Sequence, residues 1–231
     1  MKDSQQHERG DYFGEEYFER GAGSSYSRNI PPYSKAEEDI RRYYISYLNM
    51  VNKYFDVLNG KGKKALEIGC AYGYGLKLLE TIGYDVYGID FSEYAIKQAK
   101  DFLGDSGYIA VADGRQLPFR DSQFDLVIAI DVLEHVYHAK QVVANCYRVL
   151  KSGGLFGAVI PNKLSLMYQI NMLVSRTESQ ISPRPSWDFR KAYKNQNWQT
   201  LNMLYPQWLP KIQRKLNIRY LGVKILILAR K

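Results

Sequence analysis

The sequence predicts an α/β fold: a doubly wound, mostly parallel sheet with helices on both faces. Three observations carry that prediction. Between residues 64 and 160, short apolar runs alternate with helical patterns, which is how strand–helix–strand units read. The first run, Ala65-Leu66-Glu67-Ile68, opens directly into a glycine-rich turn, Gly69-Cys70-Ala71-Tyr72-Gly73-Tyr74-Gly75. The run Phe124-Asp125-Leu126-Val127-Ile128-Ala129-Ile130 is apolar at nearly every position, as a central strand covered on both faces must be.

The elements follow in order. Residues 1–33 are polar, rich in tyrosine and punctuated by Gly and Ser, and predict a partly ordered arm. Ser34-Lys35-Ala36-Glu37 reads as a capping box. The helix it opens carries Ile40, Tyr44, Leu48, Val51, Phe55 and Leu58 at spacings of three and four, one buried face that should run until Gly60. Strands are expected at 64–68, 85–89, 108–112, 124–130 and 155–160, and helices at 74–82, 92–103 and 138–150. Ser152-Gly153-Gly154 supplies a turn into the fifth strand. Beyond Pro161 the pattern loosens: a helix over 164–174, a loop over 175–187, a helix over 187–194, a strand over 198–204, a basic helix over 207–216 and a last strand over 223–229. The division is an arm and helix over 1–60, acting as a lid of the same domain, and a main domain over 61–231 with an acceptor-side region at 161–216.

Composition narrows the classes. The 231 residues suffice for one sizeable domain. Cys70 and Cys146 have neither metal nor redox spacing, which predicts a reducing, cytoplasmic setting. No run approaches the roughly 18 apolar residues of a membrane span, and the polar start, Met1-Lys2-Asp3-Ser4, predicts no secretory signal. The net charge of +8 is uneven. Residues 1–150 hold 18 Lys and Arg against 22 Asp and Glu, whereas residues 151–231 hold 14 against only Glu178 and Asp188. That basic third suits an anionic partner, whether nucleic acid or a membrane surface, or is a solvated basic face.

The glycine spacing points to the ligand. A strand, a glycine turn and an acidic residue, Asp90, ending the next strand are the layout of a nucleotide site. Dinucleotide sites read G-x-G-x-x-G; here the glycines stand at 69, 73 and 75, and no G-K-[ST] follows. Nicotinamide cofactors and a P-loop are therefore disfavoured. Glycines at 69 and 73 let the backbone approach a ligand closely, and the Asp90 carboxylate can accept from both ribose hydroxyls.

With Glu67 two residues ahead of Gly69, the segment resembles the first motif of the class I S-adenosylmethionine-dependent methyltransferases, in particular the small-molecule and quinone-biosynthesis-like subgroup, with Ala71 where the second glycine usually falls. Ala112-Asp113-Gly114, Leu117-Pro118-Phe119 and Ile130-Asp131-Val132-Leu133-Glu134-His135-Val136 match it further along. The resemblance implies a Rossmann-like sheet of seven strands with an antiparallel last strand, and S-adenosylmethionine as cofactor. It also implies roles. Glu67, Gly69, Cys70, Ala71 and Gly73 would hold the methionine end. Asp90 would hold the ribose, and Phe91, Ala112, Asp113, Gly114 and Ile130 would surround the adenine and the transfer point, Asp113 accepting from the adenine amino group.

Asp131 and His135 are the catalytic candidates, His135 because imidazole can take a proton from a hydroxyl acceptor; a structural hydrogen bond is its alternative. Asn162, after the fifth strand, is a candidate for touching the acceptor, with a turn as its alternative. Glu134 and His135 have no third ligand within reach, so no metal is expected. Tyr12, Tyr17, Tyr26 and Tyr33 either close over the cofactor or pack. Trp208, Ile212 and Leu216, interleaved with Lys211, Arg214 and Lys215, form a two-faced segment that either touches lipid or packs on the sheet. The expected function is methyl transfer to a small molecule, lipid-linked and sugar-bearing acceptors included. Its alternatives are an RNA methyltransferase and a non-catalytic cofactor-binding protein.

Overall fold

The structure, a computed structural model, describes residues 13–20, 32–136, 138–161, 198, 200–204 and 224–231. Two helices precede the sheet: α1, Glu15–Arg20, and α2, Glu37–Val51. The alternating unit then runs β1 Lys64–Ile68, α3 Tyr74–Thr81, β2 Asp85–Asp90, α4 Glu93–Leu103, β3 Tyr108–Val111, β4 Phe124–Ile130, α5 Ala139–Val149 and β5 Leu150–Pro161. Strands β6, Thr200–Leu204, and β7, Lys224–Arg230, follow.

The spatial order is β3-β2-β1-β4-β5-β7-β6. Strands β1 to β5 pair in parallel, so their carboxyl ends share one edge. β7 runs antiparallel to β5, and β6 adds an edge strand antiparallel to β7. The order reverses direction at β1: β2 and β3 lie to one side, β4 and β5 to the other. In open α/β sheets the crevice at such a reversal is where ligands bind. This is a Rossmann-like α/β architecture.

The alternation of side chains along a strand builds two cores. Leu66, Ile68, Val127, Ala129, Phe156 and Ala158 face one side, against Val142, Val143, Cys146 and Val149 of α5. Their neighbours Ala65, Leu126, Ile128, Leu155 and Val159 face the other, against α2, Leu76 and Leu79 of α3 and Ile96 and Leu103 of α4. Each fully buried Leu or Phe contributes about 1.5–3 kcal/mol of burial free energy. Cys146 is wholly buried within the first core.

Three local expectations are corrected. Ser34 is not a helix cap: it lies in a short 3-10 turn, Tyr33–Lys35, and α2 is preceded by Ala36 with no side-chain cap. The Ser34 hydroxyl instead donates to Glu19 at 2.6 Å. α2 ends at Val51 rather than near Gly60, because the Asn52 carboxamide oxygen accepts from the Val57 and Leu58 N–H groups and folds the chain back. Leu58 is consequently exposed. Ser152-Gly153-Gly154 is not a turn between elements. β5 begins at Leu150, and these residues bulge out of its ladder, where the register jumps from Phe124 opposite Leu150 to Leu126 opposite Leu155. Gly153 takes φ +78 there, and its N–H donates to the Lys231 carbonyl at 2.7 Å.

The segments expected at 164–174, 175–187, 187–194 and 207–216 lie outside the described residues, as do Tyr12, Tyr26, Asn162 and Trp208. Among the described residues, no helix is long and apolar enough to cross a membrane.

Candidate functional site

The loop after β1 is shaped by backbone that L-residues rarely adopt. Gly69, Ala71 and Gly73 take φ of +72, +46 and +81. A side chain on Gly69 would collide with Val132, and one on Gly73 would press on the tip of Leu103, so Gly69 is required by space as well as by φ and Gly73 chiefly by φ. Ala71 takes the same left-handed region with a Cβ attached, at a cost of about 1–2 kcal/mol.

Asp90 holds that loop. The Gly69 and Cys70 N–H groups donate to the Ile89 carbonyl at 2.8 and 3.0 Å. The Ala71 N–H donates to Asp90 Oδ2 at 2.9 Å, and the Ser92 N–H to Oδ1 at 2.9 Å. One carboxylate thus ties the β1 turn to the β2 turn. Carboxylate oxygens offer about four lone-pair sites, and these two bonds do not fill them. Burial raises the Asp90 carboxyl above its usual range, opposed by the Ser92, Ala71 and Phe91 N–H groups. Ser92 caps α4, its hydroxyl accepting from the Ala95 N–H at 3.0 Å.

Glu67, at the end of β1, is fully buried. Its Oε1 accepts from the Tyr44 hydroxyl, while its Oε2 is buried without a hydrogen bond. Burial pushes the carboxyl up to about 8; the Tyr44 hydroxyl and the Leu76 N–H pull it down, and Asp90 adds to the rise. Cys70 is buried beside them, its thiol raised first by burial and then by Asp90 and Glu67.

Asp131 follows β4 with φ +54. Its N–H donates to the Val159 carbonyl at 3.0 Å, and its Oδ2 accepts from the Tyr43 hydroxyl at 2.8 Å. The Tyr47 hydroxyl donates to Tyr43 at 3.2 Å. Burial and the facing carboxylates raise Tyr43 and Tyr44, so both stay protonated donors. His135 ends a 3-10 turn, Leu133–His135, and its ring meets Phe13 edge-on at 6.5 Å. The Phe13 carbonyl also accepts from the Ser92 hydroxyl at 2.5 Å, so the segment leading into α1 spans from the β2 turn to the β4 turn.

At the end of β3, Asp113 is already engaged. Arg115 grips its carboxylate, Nε at 3.1 and 2.8 Å and Nη2 at 2.7 Å, and the Arg115 N–H donates at 2.8 Å. The Ala112 N–H is spent on the Asp90 carbonyl at 3.0 Å. Gly114 packs toward Ile68 and Val142. Arg148 fixes the following loop to α5 by donating to the Leu117 carbonyl at 2.9 Å, the Phe119 carbonyl at 2.7 Å and the Asp121 carboxylate at 2.8 Å.

The fold therefore gathers Glu67, Gly69, Cys70, Ala71, Gly73, Asp90, Phe91, Ala112, Asp113, Gly114, Ile130, Asp131 and His135 along the carboxyl edge of β1–β4. Ile130 packs in the α2-side core. What the sequence reading missed is the pair Tyr43 and Tyr44, whose hydroxyls reach the carboxylates of two neighbouring strands. Tyr44 is legible only as one of a buried face, and Tyr43 and Tyr47 gave no signal beyond a second tyrosine row at i and i+4. Tyr33 packs: its ring stacks on Tyr74 at 5.7 Å and meets Tyr72 edge-on at 4.9 Å. Tyr17 lies edge-on to Phe13 at 5.0 Å.

Residues 66–158 match the family model described as "Methyltransferase domain". Over this segment the chain is similar to methyltransferase domains. A probable S-adenosylmethionine-dependent methyltransferase of Mycolicibacterium smegmatis is 28% identical over 142 residues, 60% of this chain and 51% of that protein. A ubiquinone biosynthesis O-methyltransferase of Thiobacillus denitrificans is 32% identical over 137 residues, 58% of this chain and 59% of that protein. The chain thus spans between half and three fifths of these curated relatives. A crystal structure of a methyltransferase from Archaeoglobus fulgidus superposes with a TM-score of 0.66 at 18% identity, covering 84% of this chain and 94% of that one. A Pyrococcus horikoshii protein gives 0.66 at 23% identity, covering 90% and 98%; these two likenesses speak for the fold. The matched segment contains the glycine loop, Asp90 and strands β1 and β4 on either side of the crevice.

Proposed function

We propose that the protein transfers the methyl group of S-adenosylmethionine to a small-molecule acceptor. The observation that carries this reading is the Asp90 carboxylate joined to the Ala71 N–H at 2.9 Å, which pins a glycine loop of left-handed residues beside the crevice of a methyltransferase domain.

The residues present fit the cofactor. Glu67 keeps a buried oxygen that receives no hydrogen bond, a fitting partner for an ammonium group. Gly69, Cys70, Ala71 and Gly73 form the loop for the methionine end, Asp90 and Phe91 take the ribose side, and Ala112, Asp113 and Gly114 with Ile130 take the adenine side. Asp113 stands on that side with its carboxylate already gripped by Arg115, so a ligand donor would have to share it. When bound, the sulfonium supplies an activated methyl group. The chain's work is to orient the acceptor, exclude water and hold protons.

Asp131 and His135 are the groups for that work. A hydroxyl acceptor gives up its proton as the new O–CH3 bond forms, and His135 is the side chain suited to take it. The relatives named as ubiquinone biosynthesis O-methyltransferases support a hydroxylated small molecule, and lipid-linked or sugar-bearing acceptors stay within that class. Asn162 and the 161–216 region would form the acceptor side, and residues 1–60 a lid of the same domain.

The test is a transfer assay with methyl-labelled S-adenosylmethionine and a panel of phenols, catechols and hydroxylated quinone precursors. Label in an organic-extractable product, lost in the Asp90→Ala variant, is the expected outcome. Label transferred only to RNA would overturn the small-molecule reading, and turnover of the donor by no acceptor class would favour a binding protein.

A further inference from the structure

The N-terminal helix α2 contributes directly to the cofactor side of the crevice. Its adjacent residues Tyr43 and Tyr44 donate to Asp131 and Glu67 at the ends of the paired strands β4 and β1. The Glu67 contact is the unusual one. The carboxyl is fully buried, one oxygen is held by Tyr44 and the other has no hydrogen bond. A buried acceptor left unpaired costs about 1–3 kcal/mol, and more when charged, so an isolated carboxylate there would keep its proton.

We propose that Tyr44 is a positioning residue for the amino-acid end of the cofactor: it holds one oxygen of Glu67, leaves the other for the ligand's ammonium group, and binding that group releases the Glu67 proton to solvent. The inference rests on the function proposed above and extends it to a residue outside the methyltransferase motifs. The surroundings agree. The groups facing Glu67 are the Tyr44 hydroxyl from α2, the Leu76 N–H from α3, Asp90 from β2 and Cys70 from the loop; Asp131 and Tyr33 stand behind Tyr44. Cys70 and Tyr44 are held protonated by burial. Asp90 opposes ionisation of Glu67, and among the described residues facing it no cation offsets it. With the Glu67 carboxyl pushed up to about 8, it carries its proton at pH 7 before the ligand binds. A bound ammonium supplies the missing positive charge.

Two probes separate this from a general packing role. S-adenosylhomocysteine and methylthioadenosine share the adenosine and a neutral thioether, and only the first has the amino-acid end. Titrating the full chain with each at pH 7, in two buffers of different ionisation enthalpy, counts protons. S-adenosylhomocysteine should release close to one proton and methylthioadenosine none. Tyr44→Phe keeps the ring and its packing, and should weaken S-adenosylhomocysteine about tenfold while leaving methylthioadenosine unchanged. Glu67→Gln should abolish the proton release. Tyr84→Phe, which loses a hydroxyl bonded to the remote Val57 carbonyl, should change neither ligand. Equal losses for both ligands in Tyr44→Phe, or no proton release by wild type, would overturn the proposal while leaving the cofactor reading intact. Binding of neither ligand by folded wild type would remove the cofactor reading and this inference with it.

Discussion

Ala71 and Gly69 occupy the same left-handed backbone with opposite fitness. Gly69→Ala places a Cβ into the Val132 side chain at φ +72. Overpacking and backbone strain together should destabilise the protein by about 2–4 kcal/mol. Ala71→Gly relieves the strain at φ +46 but loosens the unfolded chain, and should stabilise by about 0.5 kcal/mol. Denaturant midpoints of the two variants should therefore move in opposite directions; a drop for Ala71→Gly would show that this residue is not strained. Asp90 acts through two backbone donors, so Asp90→Ala should lose about 1.5–3 kcal/mol of cofactor binding, read by calorimetry. Unchanged affinity would refute its role. The Gly69, Asp90 and Ala71 positions were legible because turn chemistry and spacing fix them locally. The Tyr43 and Tyr44 contacts were not, because they join residues 88 and 23 positions apart, and nothing in a helix's own periodicity says which carboxylates a packed tyrosine will reach.

Elements whose hydrophobic period is strong were read almost to the residue. β1 and β4 match their expected spans, α3 and α4 differ by one residue at one end, and α5 by one residue at each end. The misses occur where a side chain or a tertiary partner overrides a local signal. Asn52 stops α2 by satisfying the Val57 and Leu58 N–H groups, although apolar spacing continues to Leu58. Ser34 has capping chemistry, yet Glu19 of α1 takes its hydroxyl. Gly153 and Gly154 look like a turn but are tied to the chain end at Lys231, which no nearby residue announces. A loop-to-helix tie of the same long-range kind is Arg148, which binds the 117–121 loop to α5 through three acceptors. The side chain is partly exposed, so screening discounts its contribution. Arg148→Ala should still cost about 1–2 kcal/mol and raise the hydrogen-exchange rate of residues 113–121 above that of β1. Exchange unchanged in that loop would mean that the strand ends alone hold it.

For the whole molecule, the architecture explains why the cofactor side could be anticipated and the acceptor side could not. Parallel strands with crossover helices force the β1–β4 ends to one edge, so the cofactor residues converge whatever the flanks do. The expected acceptor side, 161–216, lies mostly outside the described residues. Burial of Glu67 also has a thermodynamic signature. Glu67 binds its proton more tightly folded, at about 8, than unfolded, at about 4.3. Above pH 4 to 5 the unfolded chain releases that proton while the folded chain keeps it, so its stabilising effect is full at low pH and is lost as pH rises through the folded value. Glu67→Gln should remove this slope: relative to wild type it should gain stability at pH 8 over pH 4.5, compared by denaturant midpoints without cofactor. A constant difference between the two pH values would show that Glu67 does not titrate across folding.

Binding of S-adenosylmethionine by the loop that Asp90 holds is tested by calorimetric titration of the full chain with that compound, with NAD as the control. Selective binding of S-adenosylmethionine at micromolar affinity is the predicted result. Heat from NAD alone, or from neither ligand with protein shown to be folded, would contradict it.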